Sequence, residues 1–486
     1  MKENLFLTTF LLSTFVVVLS FSLFESVPSI LFLSTDLLDM GMFLKRGNVL
    51  VNTGWQIAGS LARMVVQLII GAFSARYLGP SNYGILNYVA AYISLFSIIC
   101  ELGLTLTIVN EIIKHKDEDG VYVGSAIFMR IVASLVSMAA LLIISSIVDG
   151  NDSVIRGVVF IRSLGLLFDS FNTINFWYQS KLQSKFTTLF ELIAYIVSSI
   201  YKVCILAFRK DIFWFAAATT VDSFLIAMFL FWGFKKQSGF KFGIDKAVCK
   251  DLLKSGVPFI LSGIMVYVYG QADRIMIGKM MTQTDVGYYS CAATIGTLIA
   301  FLPQAIMNSS KTVIIEQHGI NYKKFELCMR QTLAIILWIM NVYALILFVF
   351  GRIAILVLYG NDYMPALPTL KVLIWSYGLS YVGTLRNIWL ICEGKRKYAT
   401  IFSVIGVTLN IILNYFMIAQ WGIVGAAIAT VITQGVTTFV APFIFKDTRR
   451  FSVLLIEGLC LRNIELKKHL LQNKLVKAKI EKAVKK

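Results

Sequence analysis

Long apolar runs alternate with short polar connections along the chain. Runs near 20 residues recur at about 48–72, 83–109, 122–147, 155–178, 186–208 and 212–234, and again at about 256–278, 287–309, 331–350, 366–391, 399–418 and 422–445. Each can cross the hydrocarbon core of a bilayer as a helix, which takes about 20 residues. The ten-residue alternation of a membrane β-barrel is missing from the sequence. The pattern predicts an all-α integral membrane protein with a twelve-helix core of two six-helix lobes. The N-terminal lobe is read as residues 42–234 and the C-terminal lobe as 255–445, joined by a cytoplasmic linker at 235–254.

Two segments fall outside this core. Residues 1–41 are an apolar extension that begins like a signal sequence, MKENLFLTTFLLSTFVVVLSF. Its apolar part is longer than a signal core, and no small-x-small cleavage site follows closely. It reads either as a thirteenth helix or as a mis-assigned start, with translation beginning at Met40 or Met42. Residues 446–486 form a basic tail. Leu466 and Leu470, then Val476, Ile480 and Val484, repeat at i, i+4 with Lys on the other face. That spacing predicts an amphipathic helix on an anionic inner leaflet.

Composition agrees with the pattern: 57% of residues are apolar, 15% are charged, and mean hydropathy is +0.75. A net charge of +18 in a soluble protein would point to nucleic acid. Here the Lys and Arg lie between apolar runs, so they set topology, and no nucleic-acid partner is expected. With Lys45 and Arg46 placed inside, nineteen Lys and Arg fall in inner connections and six in outer ones. The expected location is the inner or plasma membrane, multi-pass, with a cytoplasmic C-terminus. The seven cysteines form no CxxC pair and read as small core residues rather than disulfides or metal ligands. No P-loop, HExxH or GxSxG is present, and His115, His318 and His469 fall in inner loops or the tail. An enzyme, a cofactor and a metal are therefore not expected. A membrane glycan polymerase would use a large outer loop, whereas the outer connections here hold about fifteen residues or fewer.

An internal repeat supports the two-lobe reading. Arg76 to Gly84 and Lys279 to Gly287 each place seven residues between a base and a glycine. Ala90 and Ala293 each follow that glycine by six residues. Both stretches join the first and second helix of a six-helix set. Equal parity implies parallel repeats about an axis along the membrane normal, and rocking such halves gives alternating access.

Three runs carry a family resemblance: SARYLGPSNYGILNYVAAY (Ser74 to Tyr92), KSGVPFILSG (Lys254 to Gly263) and QADRIMIGKMMTQTDVGYYSCA (Gln271 to Ala292). Together they resemble the polysaccharide transporter branch of the multidrug/oligosaccharidyl-lipid/polysaccharide exporter superfamily, the oligosaccharide or O-antigen flippases. The resemblance covers about 42–446. It implies twelve helices in two lobes and transfer of a polyprenyl-diphosphate-linked oligosaccharide from the cytoplasmic to the outer leaflet. It also implies membrane lipids, a polysaccharide polymerase and chain-length machinery as partners. A cation-coupled multidrug antiporter of the same superfamily is the alternative. The fourth helix departs from the family pattern: many members carry a phrase like FxGxE where this chain has Phe176-Trp-Tyr-Gln-Ser180.

Charges inside apolar runs mark candidate chemistry. Each costs at least about 2.5–3.5 kcal/mol on insertion and so faces a wet cavity or a partner. The cations are Arg63, Arg130, Arg162, Lys202, Arg274 and Arg386; the anions are Glu101, Asp169, Glu191, Asp222 and Asp273. A diphosphate head needs cations to replace its water, and Arg pairs phosphate oxygens bidentately. Arg63 and Arg274, on the leading helices of the two lobes, are the foremost substrate contacts. Arg130, Arg162 and Lys202 are further contacts, or partners of the embedded acids. Asp273 is the acidic candidate for a coupling ion. Arg386 and Lys371 read as snorkelling residues near helix ends, and Arg76, Arg156 and Lys279 as interface anchors. Pro303, inside the eighth run, predicts a kink.

Overall fold

The computed structural model describes the backbone of residues 47–115, 118–150, 152–237 and 243–459, and their side chains except at 47–66, 106, 258, 261 and 262. The apolar extension 1–41 and the amphipathic repeat from Leu466 to Val484 lie outside the described residues. Among those described, the helices in chain order are α1 (Gly47–Glu101), α2 (Ile108–Lys114), α3 (Asp119–Val148), α4 (Ser153–Asp169), α5 (Thr173–Ser180), α6 (Ser184–Ala207) and α7 (Ile212–Gln237). They continue as α8 (Lys246–Met280), α9 (Gln283–Gly296), α10 (Phe301–Ile320), α11 (Tyr322–Leu358), α12 (Leu367–Cys392), α13 (Arg396–Gly435), α14 (Ala441–Ile444) and α15 (Arg449–Leu459).

Two of these hold two crossings each. α1 breaks at Gly79 (φ 70°, ψ 170°) and α13 at Gly422 (φ 59°, ψ −140°), conformations that only glycine reaches without strain. Joining α4 with α5, α9 with α10 and α13 with α14 then gives the twelve expected crossings among the described residues. By length and apolarity alone, six stretches qualify as spans, or seven with α9 and α10 counted as one. The others are short or charged: α4 has 17 residues, and α8 carries Asp273, Arg274 and Lys279.

Three expected helices are interrupted. The second stops at Glu101, where Leu102 (φ 52°) and Gly103 (φ 66°) turn left-handed before α2. The fourth breaks at a 3₁₀ turn, Ser170–Asn172, between α4 and α5. The eighth breaks between Gly296 and Phe301, upstream of Pro303. Pro303 thus sits in the first turn of α10, where its missing N–H removes no helical bond.

The chain divides into two compact units. The first comprises the described chain up to Leu298 with Phe350–Leu370 and Val407–Ala427; the second comprises Ile299–Val349, Lys371–Gly406 and the described chain from Ile428 on. In the first, the later half of α1 and α8 run antiparallel at close range. Gly103 meets Gly256, Ile98 meets Gly263, and Tyr88 meets Gly278. Its apolar core joins Leu104, Ile108, Ile127, Trp177, Tyr178 and Phe234.

In the second unit, α11 and α12 pack Leu333, Ile336, Leu385 and Trp389 against Phe402. α15 adds Phe451, Leu454 and Leu455 to that core, so the first part of the basic tail packs on protein. Arg450 grips Glu326 through two bonds of 2.6 Å, and Arg330 reaches Glu457 at 3.3 Å. The snorkelling expected of Arg386 does not occur. Its side chain is buried, stacks 4.8 Å from the Phe402 ring centre and donates to the Thr437 carbonyl, because the π turn after α13 leaves that carbonyl accessible.

Candidate functional site

The three resemblance motifs converge in the first unit, and their glycines are there for close approach. A Cβ on Gly84 would lie 1.7 Å from the Gln283 carbonyl oxygen, and one on Gly287 would lie 2.1 Å from that of Pro80. The two glycines of the internal repeat therefore sit back to back. Just past the C-terminal end of α1, Gly103 and Gly256 repeat the arrangement, with Cβ positions 2.2 and 2.1 Å from backbone oxygens.

Polar ties surround the Gly84–Gly287 seam. Arg76 donates to the Leu356 carbonyl at 2.8 Å and to that of Val357, capping α11. Tyr363 donates to the Ala75 carbonyl at 2.8 Å. Lys279 pairs with the buried Asp149 carboxylate, which also accepts from Tyr88 at 2.8 Å. Arg76 and Lys279, expected as interface anchors, are instead tied to protein. The connections at Leu358 and Val148 bring acceptors to them.

Asp273 and Arg274, adjacent on α8, turn to different partners. Asp273 is 6% exposed and accepts from Asn414 Nδ2 at 2.6 Å and from the Tyr289 hydroxyl. Asn414 Nδ2 also lies 3.1 Å from Asn410 Oδ1, while Asn414 Oδ1 and Asn410 Nδ2 have no hydrogen-bond partner. Arg274 donates through Nε to Ser290 at 3.2 Å and through a terminal nitrogen to Gln271. Charge, two amides and a phenol therefore meet where α8, α9 and α13 come together. The asparagines escaped the sequence reading. Their signal was there, since two amides four apart in an apolar run share one helix face.

Arg130 stands elsewhere. It projects from α3 into a cavity of about 380 Å³ lined by Glu101, Asp169, Glu191, Asn172 and Asn175. Its side chain is 5% exposed and donates to Thr173 at 3.2 Å. Asn175 donates to Glu191 at 3.1 Å, and Thr105 to Glu101 at 3.3 Å. The cavity opens where α1 and α4 end, so the helix breaks and the embedded acids belong to one feature.

The other candidates scatter. Arg162 on α4 donates to the Leu86 carbonyl of α1 at 2.6 Å. Lys202 on α6 lies 5.8 Å from the Tyr195 ring centre. Arg63 is on α1, with its side chain outside the described residues. Also unforeseen was Asp119, wholly buried at the start of α3, which holds Lys181 at 2.7 Å and the Trp177 indole at 3.0 Å. Among the described residues no cluster of three or more His, Cys, Asp or Glu has metal-binding geometry.

Comparison with known proteins accords with this architecture. A MatE family model matches residues 258–416. The "Putative O-antigen transporter" of Shigella flexneri is 24% identical over 79% of this chain and 94% of its own length. The "Probable low-salt glycan biosynthesis flippase Agl15" of Haloferax volcanii is 23% identical over 79% of this chain and 82% of its own. Among solved structures, the lipid II flippase MurJ in an inward closed conformation superposes with a TM-score of 0.64 at 16% identity, covering 86% of this chain and 96% of that one. An inward-facing MATE multidrug transporter of the MOP superfamily gives 0.60 at 15% identity, covering 81% and 95%. These likenesses fix the fold as an all-α, twelve-helix, multi-pass membrane fold. The model of the polysaccharide biosynthesis proteins matches residues 49–315, more than half of the chain, and the protein belongs to that family.

Proposed function

We propose that this protein is a flippase. It moves a polyprenyl-diphosphate-linked oligosaccharide from the cytoplasmic to the outer leaflet by alternating access of two six-helix lobes, 42–234 and 255–445. The observation that carries the reading is the set of charged and amide side chains buried on membrane-crossing helices. Such groups are expensive in hydrocarbon, and they suit a hydrated, anionic headgroup in passage. The family and the names of the relatives point the same way. Arg63 and Arg274 are proposed to receive the diphosphate, with Arg162 and Lys202 along its path. Asp273, with Asn410 and Asn414, is proposed as the coupling-ion site. The protein would sit in the inner or plasma membrane with its C-terminus inside, and hand its product to a polymerase.

The test uses a strain whose surface glycan depends on this gene. Arg274→Ala and Arg63→Ala are each expected to lower surface polymer at least about tenfold and to accumulate lipid-linked intermediate inside, with Lys restoring part of the activity. A bidentate Arg–phosphate contact is worth about 1.5–3 kcal/mol, or roughly ten- to hundredfold. Normal polymer with both residues removed would sink the site assignment. Gene deletion that leaves intermediates flipped but unpolymerised would sink the flippase. The antiporter reading rests on the MatE match and the MATE superposition. It predicts drug sensitivity on deletion with surface glycan intact.

A further inference from the structure

We propose that the cavity around Arg130 is a sugar subsite, one that takes a non-acidic ring of the lipid-linked glycan and rejects uronic or sialic acids. This rests on the flippase reading and adds to it a substrate class and a place.

The charge balance is the first argument. Glu101, Asp169 and Glu191 line the cavity with Arg130 as the cation among them. Three carboxylates against one guanidinium repel a phosphate or a second carboxylate. They accept from hydroxyl or ammonium donors. A helix end adds to this. Glu101 is the last residue of α1, where Leu102 and Gly103 turn left-handed. A helix C-terminus already carries partial negative charge and unpaired carbonyls, so an anion there is unfavourable for the helix. That placement makes poor sense as stabilisation and good sense as part of an acceptor-rich pocket.

Size is the second argument. The cavity of about 380 Å³ would hold about a dozen waters at roughly 30 Å³ each. That is far more room than a bare ion needs, and it falls within the roughly 300–1,000 Å³ of small-ligand pockets. The remaining lining suits a sugar ring: Asn172, Asn175, Ser97 and Thr105 offer amides and hydroxyls, and Phe176 offers an aromatic wall.

The third argument is independent of the acids. Arg130 lines the cavity, is 5% exposed and is fixed by its bond to Thr173 at 3.2 Å. A guanidinium held in the wall of a polar cavity offers N–H donors that sugar oxygens can accept from without adding charge.

The experiment uses the full chain in lipid nanodiscs and three probes: polyprenyl diphosphate alone, the same lipid carrying one N-acetylhexosamine, and the same lipid carrying one uronic acid. Binding is measured for the native protein and for Glu101→Gln, Glu191→Gln and Asp169→Asn, each checked for a monodisperse profile. Asn175→Leu is the fallback should a carboxylate variant not fold. The hexosamine probe is expected to bind at least about tenfold tighter than the bare lipid, and each variant to lose most of that gain. The bare lipid should be unaffected, and the uronate probe should improve in the Gln variants. Equal binding of the hexosamine and bare probes by the native protein overturns the subsite, as does a gain that survives every variant. A carboxylate-dependent response to sodium chloride alone, with none to sugar, also overturns it and makes the cavity an ion site. Failure to bind any of the lipids sinks the flippase reading itself, a result distinct from loss of the sugar preference.

Discussion

At the scale of single residues, membrane burial turns each charge into a question with a definite partner as its answer. Lys279 and Asp149 show the logic. The Asp149 carboxylate is 2% exposed and Lys279 is 32% exposed, so the lysine holds a buried anion while staying partly wet. Removing only the lysine strands the carboxylate with the Tyr88 hydroxyl. For a pair that is only partly buried we expect Lys279→Ala to destabilise by about 1–3 kcal/mol, below the full figure for a dry pair. Lys279→Ala combined with Asp149→Asn should recover most of the loss, because no unpaired charge remains. Melting temperatures of the purified protein in one detergent give the ordering. If the double variant melts lower than the single, the pair is not what matters there. Such residues were half legible. The sequence marks Arg274, Asp273 and Arg130 as embedded charges, but a linear pattern does not say which partner folds back to meet each. It took Lys279 for an interface anchor because Asp149 lies 130 positions away.

At the scale of elements, the glycine seam explains why short motifs carry so much identity. LGPSNYG, KSGVP and TDVG look like loop fragments in sequence, yet each supplies a glycine at which two backbones touch. Gly84→Ala would place a methyl group 1.7 Å from a carbonyl oxygen, so α1 and α9 must separate. Loss of folded, monodisperse protein is the expected outcome, since overpacking against backbone costs at least about 1–3 kcal/mol with no side chain to yield. Gly435→Ala is the control. No atom lies within 4 Å of its Cβ position, and alanine there should be neutral or raise stability by about 0.5–1 kcal/mol. If both variants behave alike in size-exclusion profile and melting temperature, close approach is not the reason for the glycines. Helix existence was legible because apolar runs of bilayer length have no other stable form. The bend before Phe301 was marked by Pro303, but the interruptions at Leu102 and at Ser170–Asn172 were not legible, because runs that stay apolar through a break give hydropathy nothing to register. Those two interruptions are the ones that open the Arg130 cavity.

At the scale of the whole molecule, the proposed direction of transport depends on which face lies inside, and charge is what decides it. Nineteen Lys and Arg in one set of connections against six in the other is a bias of the sort that orients insertion, since translocating short loops rich in Lys or Arg is disfavoured. The Arg130 cavity lies at the end of α1 and α4 nearest Lys114, Lys181 and Lys185, the basic set. On this assignment a glycan would meet the sugar subsite as it loads from the cytoplasm, before reaching the Gly84–Gly287 seam at the other end of the crossing that follows Gly79. The assignment is testable by thiol accessibility in a chain stripped of its seven cysteines. Asn361 and Gln183 are both exposed, the first in the connection between α11 and α12 and the second just before α6. A membrane-impermeant maleimide applied to intact cells should label Asn361→Cys and spare Gln183→Cys, with the second labelled only after the membrane is opened. The reverse result would turn the molecule over. The acidic cavity would then face the outside, where it would meet the glycan on release, and the proposed order of sugar recognition before passage would fail even if transport were retained.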